Sequence, residues 1–267
     1  MKLTKSDIET LKQVSLVNCN LLIRKGSKKV MSITPMKTVF FVGELSDVPS
    51  YEYDLCLYSI EDLIFNLKFF DEKSDTFLNV KKDIVEITQV NGDKKLEILQ
   101  SDKSIVIAPT KEPEVDDLCN YNFNLPKEII SLSHKLKNRF DVLEIKFKNQ
   151  DKSILEYNFA YKNTADLTKL TVQVYNNKSK PNLSKNFRFV FNLHNLATLK
   201  IEDYFVSVSP KNVSHFKSVS DDYYYWVAIE PTSQFETKVK KDNSKKIIYL
   251  TNSIAKLQRQ LEELKVS

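Results

Sequence analysis

Three glycines in 267 residues leave no place for a phosphate-cradling loop. Both the P-loop and the dinucleotide-binding turn need clustered glycines, because only a backbone without Cβ can approach a pyrophosphate closely. Most nucleotide-dependent enzymes are thereby excluded. Cysteine is equally scarce: Cys19, Cys56 and Cys119 are odd in number, far apart and without Cys-x-x-Cys spacing. That pattern suggests neither a disulfide framework nor a zinc site, and the three are expected to be buried small hydrophobes. His134, His194 and His215 are dispersed, with no partner at metal-ligand spacing, and read as single polar side chains on helix or strand faces. Nothing resembles a nucleophile elbow or a Cys/His signature. The carboxylate pairs Glu61/Asp62, Asp116/Asp117 and Glu262/Glu263 fall at a helix start, in a linker and on a tail, where they serve a helix dipole or water. No catalysis, metal or cofactor is expected. Long apolar runs are missing too: none approaches the roughly 18 residues that span a membrane. The opening MKLTKSDIETLK has no apolar targeting region, so a cytoplasmic chain without a membrane partner is expected.

What is present describes a folded chain, 42% hydrophobic and 28% charged, long enough for two cores. Of 40 Lys/Arg and 35 Asp/Glu, eight and four lie in Glu236–Ser267, so residues 1–235 carry 32 against 31, a net +1. Any basic surface on this body is balanced by acidic surface elsewhere, which suits a segregated nucleic-acid face.

Ile105–Asn120, IVIAPTKEPEVDDLCN, is acidic, proline-bearing and without a sustained apolar period; it reads as a linker. On either side the same order recurs: short amphipathic helix, strands, second short helix, more strands. The helices centre on Leu11 and Leu63, then on Leu132 and Leu196. The expected organisation is a domain over 1–108, a linker over 109–121, a second domain over 122–235, and a tail over 236–267. Thr4 with Asp7 reads as a capping box with Leu3 and Ile8 as staple, and Ser59, Asp62, Tyr58 and Leu63 repeat the device. Pro126 is expected as the first residue of the third helix, and the fourth is expected over about Asn192–Lys200. Period-two alternation in Leu143/Ile145/Phe147, Leu155/Tyr157/Phe159/Tyr161, Leu170/Val172/Val174 and Phe187/Phe189/Phe191 predicts antiparallel strands with one wet face. Asn91-Gly92 predicts a hairpin turn. The class is α+β.

At 100° per residue, Ile8, Leu11 and Val14 share one side of the first helix while Lys5, Glu9, Lys12 and Gln13 take the other. On the third, Ile129, Leu132 and Leu136 face inward and Lys127, Ser131, His134 and Asn138 outward, with Lys135, Lys137 and Arg139 nearby. Lys68 and Lys200 are expected in the last turns of the second and fourth helices. Singly such lysines are solvated charges or dipole partners; their recurrence on every helix suggests a shared basic face. Phe65 and Phe69, on the outer side of the second helix, read either as a subunit contact or as a sign of a deeper-set helix.

The opening MKLTK, the Leu11-Lys12 helix, LLIRKG, Ser46–Val48, YSIEDLIFNL, VIAPTK and YYYWVAIEP resemble, in order and spacing, the trimeric sliding clamps of T-even-type phages. More distantly the plan resembles proliferating cell nuclear antigen. The likeness covers about residues 1–235 and rests on many short segments in register. It implies two similar clamp domains with antiparallel sheets outside and two short helices per domain lining a ring of three chains. It implies duplex DNA as ligand, held by Lys5, Lys12, Lys68, Lys127, His134, Lys137 and Lys200, without sequence readout. It also implies a DNA polymerase as partner, a separate clamp-loader ATPase, and a partner-peptide pocket near Val115, Leu118, Ile229 and Pro231. If the chain is phage-encoded, the compartment is the infected bacterial cytoplasm. The alternative is a non-ring accessory DNA-binding or virion structural protein on the same duplicated sheet plan.

The tail lies outside the resemblance. Ile247, Leu250, Ile254, Leu257, Leu261 and Leu264 recur at spacings of three and four, a heptad seam on a C-terminal helix from about Lys246 to Lys265 that needs a partner. Three are open: a homotypic coil on the ring axis, the chain's own outer sheet or linker, or a replication protein.

Overall fold

The computed structural model describes residues 1–48, 51–70, 75–90, 94–114, 121–147, 154–162, 169–175 and 186–235. The first half runs β1 (Lys2–Leu3), α1 (Lys5–Val17), β2 (Leu21–Ile23), β3 (Lys29–Ile33), β4 (Val39–Glu44), β5 (Leu55–Leu57) and α2 (Ile60–Leu67). It ends with β6 (Thr76–Val80), β7 (Ile84–Gln89) and β8 (Lys95–Leu99), followed by a 3-10 turn at Lys103–Ile105. The second half runs β9 (Tyr121–Leu125), α3 (Lys127–Leu136), β10 (Val142–Phe147), β11 (Ile154–Ala160), β12 (Lys169–Tyr175), β13 (Phe187–Asn192) and α4 (Leu193–Leu196). It closes with β14 (Tyr204–Ser209), β15 (Val213–Ser218), β16 (Tyr224–Ala228) and β17 (Gln234–Phe235).

The duplication holds at the level of elements: strand, helix, four strands, helix, three strands in each half, with β17 added at the end of the second. Pairing repeats with it. The sheet β1-β6-β7-β8 recurs as β9-β14-β15-β16, and the pairs β2–β5 and β3–β4 recur as β10–β13 and β11–β12. All ladders are antiparallel. One ladder breaks the separation of the halves: β16 pairs β4, with Tyr225 opposite Phe41 and Trp226 opposite Phe40. The result is a six-stranded sheet, β3-β4-β16-β15-β14-β9, built from both halves.

Strand alternation divides that sheet into two faces. Val39, Phe41, Tyr225 and Val227, at 0% exposure, join a core that runs through both halves. Phe40, Val42 and Trp226, on the alternate positions, form a separate cluster on the other face. Against the core side packs α1, whose Thr4 cap is reinforced by Asp7: its Oδ2 accepts from Thr4 N (2.8 Å) and Thr4 Oγ1 (2.7 Å), its Oδ1 from Ser46 N (2.7 Å). The capping box therefore also pins the helix to the chain after β4.

Several local expectations shift. Pro126 is the N-cap of α3 rather than its first residue. The fourth helix is a single turn capped by Asn192, so Lys200 lies beyond it. Gln13 is buried at 5%, because the Tyr225 hydroxyl reaches it across the halves (3.3 Å). Of the cysteines, Cys56 is buried but Cys19 is exposed, its carbonyl capping α2 by accepting from Ile60 N. Cys119, the Asn91-Gly92 turn, Val115, Leu118 and the whole tail, including Ile247, Leu250, Ile254, Leu257, Leu261 and Leu264, lie outside the described residues.

Candidate nucleic-acid interface

Basic residues of α1, of α2 and of the segment after α4 gather around two hollows. A groove of about 440 Å³ lies between α1 and α2, floored by Leu3, Ile8, Ile64, Leu67 and Phe70 and rimmed by Lys5, Lys12 and Lys68. The amphipathic faces of the two helices meet there, leaving their polar edges outward. Lys12 is held by Glu9 at 2.7 Å, both side chains about half exposed. Lys68, at the C-cap of α2, lies 5.7 Å from the Phe65 ring, and Phe65 in turn meets Phe69 edge-on at 5.4 Å.

A second cleft, of about 820 Å³, bridges the halves. Lys5 from α1 and Lys200 from the second half line it together with Lys28 and Lys217. Four carboxylates, Glu9, Glu44, Asp221 and Asp222, line it too, so the cleft is charge-balanced. Lys200 is committed inside it, 3.0 Å from Asp221, 3.6 Å from Glu202 and 5.4 Å from the Tyr223 ring. Burial works against its charge, yet the hydrogen bond to Asp221 and the charges of Glu202 and Asp221 win, raising its pKa. Tyr225 fastens the junction: its hydroxyl donates to Gln13 and accepts from Lys200 N, while Tyr204 donates to Lys200 O.

The remaining candidates sit on α3. The Lys127 side chain is exposed, and its backbone N–H donates to Asp203 Oδ1 (2.7 Å), anchoring the helix start. His134 is half-buried and Nε2 bonds Leu199 O at 2.8 Å. A carbonyl accepts only, so the ring carries its proton on Nε2 and ties α3 to the turn after α4. Lys137 is the half-buried C-cap. Lys5, Lys12 and Lys68 thus share one groove, Lys5 and Lys200 one cleft, and Lys127, His134 and Lys137 one helix. Lys28 and Lys217 are additions that helix-face reasoning could not find. Lys217 is an exposed residue near the end of β15 that reaches the rim of this cleft.

The opposite face of the six-stranded sheet is apolar. Phe40, Val42 and Trp226 are flanked by Met31, Ile33, Val213 and Tyr224, and His215 lies 4.9 and 4.7 Å from the Tyr224 and Trp226 rings. The chain leaving the first half crosses its rim: Glu112 accepts from the Tyr224 hydroxyl and from Lys29, each at 2.5 Å. The Lys29 hydrogen bond first, and that of Tyr224 second, hold the Glu112 carboxyl below its usual range. Of the pocket candidates, Pro231 is exposed, in a turn held to β13 by Glu230 N to Val190 O, whereas Ile229, 4% exposed, is turned into the main core. Among the described residues, no group of three His, Cys, Asp or Glu could hold a metal, and no helix is long and apolar enough to cross a membrane.

No family model and no curated protein matches the chain. Solved structures do. One, described as Proliferating Cellular Nuclear Antigen from Entamoeba histolytica, superposes with a TM-score of 0.62 at 14% identity, covering 84% of this chain and 94% of its own. A PCNA2-PCNA3 complex from Sulfolobus tokodaii gives 0.62 at 11% identity, covering 86% and 98%. The chain therefore has the two-domain fold of those proteins, with mostly antiparallel sheets and few helices, the α+β class expected from sequence.

Proposed function

We propose that the chain is the subunit of a DNA sliding clamp on the phage pattern. Three copies, each with clamp domains over 1–108 and 122–235 joined by 109–121, close head to tail around duplex DNA. The ring tethers the replicative DNA polymerase for processivity, performs no catalysis and needs a separate loader ATPase to open it. One observation carries this reading. Within the chain β16 pairs β4, whereas among the described residues their counterparts in the repeat, β8 and β12, are the outer strands of their sheets. The join between halves therefore exists once inside the chain and is available once more between chains, on opposite halves, as a heterologous closed ring requires. Half-buried Leu96 and Ile98 of β8 and exposed Leu170 with half-buried Val172 of β12 supply apolar faces for it, and the exposed Phe65/Phe69 ridge adjoins β8, whose neighbour Lys94 donates to Phe69 O. The helix lysines then face a common hole, where charge contacts to phosphates permit sliding because none reads a base.

The ladder gives the test. Gln89 N donates to Lys94 O and Gln100 N to Asp83 O, so residues 94, 96, 98 and 100 bond inward to β7 and the Glu97 N–H points to the free edge. Glu97→Pro removes that donor and leaves the β7 ladder intact; Glu97→Ala keeps it. Light scattering should give three times 31.1 kDa for the parent and Glu97→Ala, and monomer for Glu97→Pro. The parent should be retained on circular DNA after loading and run off once the DNA is linearised. A monomeric parent at micromolar concentration, or equal retention on linear and circular DNA, would overturn the proposal.

A further inference from the structure

Because the halves repeat, the covered junction inside the chain shows what the other half leaves bare. Leu3 pairs Thr76 as Leu125 pairs Tyr204, and Ile60 N donates to Cys19 O as Leu193 N donates to Asp141 O. Leu3 and Leu125, like Cys19 and Asp141, are 122 residues apart, so α1 and α3 align without a gap. The residues by which α1 lines the cleft between the halves include Lys5, Glu9, Thr10 and Gln13; their counterparts on α3 are Lys127, Ser131, Leu132 and Lys135. Burial differs between the two sets. Thr10 is 8% and Gln13 5% exposed, the latter beneath the Tyr225 hydroxyl, whereas Leu132 is half-buried and Lys135 exposed.

The wall facing α1 has its own counterpart. Thr76 pairs Gln89 as Tyr204 pairs Ser218, and Gln89 N donates to Lys94 O as Ser218 N donates to Tyr223 O. Lys94 therefore occupies the place of Tyr223, Leu96 that of Tyr225, and the segment leaving α2 that of the segment leaving α4. The contacts agree: Lys94 Nζ donates to Phe69 O (2.8 Å), and Tyr223 lies against Lys200 (5.4 Å). A bare α3 would thus meet β8 together with the end of α2, where Phe65 and Phe69 are 57% and 60% exposed and meet edge-on.

We infer that the Phe65/Phe69 ridge of one copy packs against Ser131, Leu132 and Lys135 of α3 in the next, filling between chains the place that within one chain is a cleft of about 820 Å³. The substitutions between the halves suit that occupant. Leu132, where α1 has Thr10, gives the rings an apolar seat, and Lys135, where α1 has Gln13, brings a cation within reach of a ring face. Two phenylalanines bury about 150–250 Å² each, the kind of aromatic anchor that dominates interface energy. The inference rests on the ring reading and deepens it, naming the side chains beyond the strand edges that hold one copy to the next.

Cross-linking between distinguishable copies tests it. A Phe65→Cys chain and a mass-tagged Lys135→Cys chain are mixed at a concentration where light scattering shows both assembled, left to exchange, and treated with a short bis-maleimide. The parent, treated alike, controls for the native thiols. The expected product is a two-chain adduct in the mixture, absent from either variant alone and from the parent. Alongside, Phe65→Ala/Phe69→Ala leaves the Phe69 carbonyl in place and should keep the parent's far-ultraviolet spectrum, while its assembly dissociates at a concentration on the order of a hundredfold higher. An assembled parent whose mixture gives no adduct overturns the inference and leaves the ring standing. So does an adduct from the Phe65→Cys chain alone, since like would then face like, or a double-alanine assembly that dissociates as the parent does. A parent that never assembles overturns the ring reading itself, and the contact with it.

Discussion

Glu9 sits where it should weaken DNA binding, and removing its charge should therefore strengthen it. Its carboxylate holds Lys12 Nζ at 2.7 Å on the wet face of α1, one turn from Lys5. The pair is half exposed and spaced i, i+3, so it contributes only about 0.3–0.5 kcal/mol to folding. Glu9→Gln should leave melting and mass unchanged while freeing Lys12 for a phosphate. Each further phosphate neutralised steepens log K against log salt by about 0.9, hence about 2.7 if three subunits engage, an additional loss of about 40-fold between 50 and 200 mM salt. Affinity at low salt should rise correspondingly. Lys12→Gln should do the opposite and bind most weakly, because it leaves Glu9 facing the phosphates, and the double variant should lie between. The assay is fluorescence anisotropy with a short linear duplex, onto which a ring can thread from either end, titrated at several salt concentrations. A Glu9→Gln protein that binds like the parent or worse, with unaltered melting and mass, would refute the placement of this face against DNA.

Two further outcomes concern stability. Asp7→Ala removes a buried acceptor of three hydrogen bonds together with the cap of α1; about 1 kcal/mol for the cap and about 2 for the charged acceptor give about 3 kcal/mol. At about 2–4 °C per kcal/mol for a chain of this size that is roughly 6–12 °C in Tm by scanning calorimetry, and a loss under about 2 °C would sink the argument. Glu86 is gripped by Lys81 and Lys95, each at 2.7 Å, and these hydrogen bonds lower its pKa to about 2. Its folded pKa lies below the unfolded value of about 4.3, so its stabilisation is fully present above that value and is lost as pH falls toward 2. The Tm difference between parent and Glu86→Gln should accordingly close over that window; a difference that persists at pH 2 would remove Glu86 from the acid response.

Local grammar was legible in the sequence wherever the determining contacts are local. The Thr4/Asp7 box, the Ser59 cap of α2 and the alternation of β10, β11 and β13 depend on residues three or two apart, and all three appear in the structure. Gln13 was misread as a wet-face residue because its partner, Tyr225, is 212 residues away. Lys200 failed for a related reason: α4 stops after one turn, and the following segment is committed to Asp221 and Tyr225 rather than to a helix axis. Lys28 and Lys217 carried no signal at all, since one lies just before β3 and the other within β15, on no helix face, and only the folded chain brings both to the cleft. The helix lysines themselves were readable as a class, but their pairing with Glu9, Asp221 and Glu202, which sets how much charge remains for a ligand, was not.

The ladder between β16 and β4 has a consequence for the birth of the chain. Val39 pairs Val227 across 188 residues, so the outer edge of β4 stays open until nearly the whole body has left the ribosome. Pairings of such sequence separation are slow to form, and an open strand flanked by Phe40, Phe41 and Val42 templates pairing with other nascent chains. A chain interrupted in the linker would therefore not yield a tidy half-protein; it would carry an adhesive edge with its natural partner never synthesised.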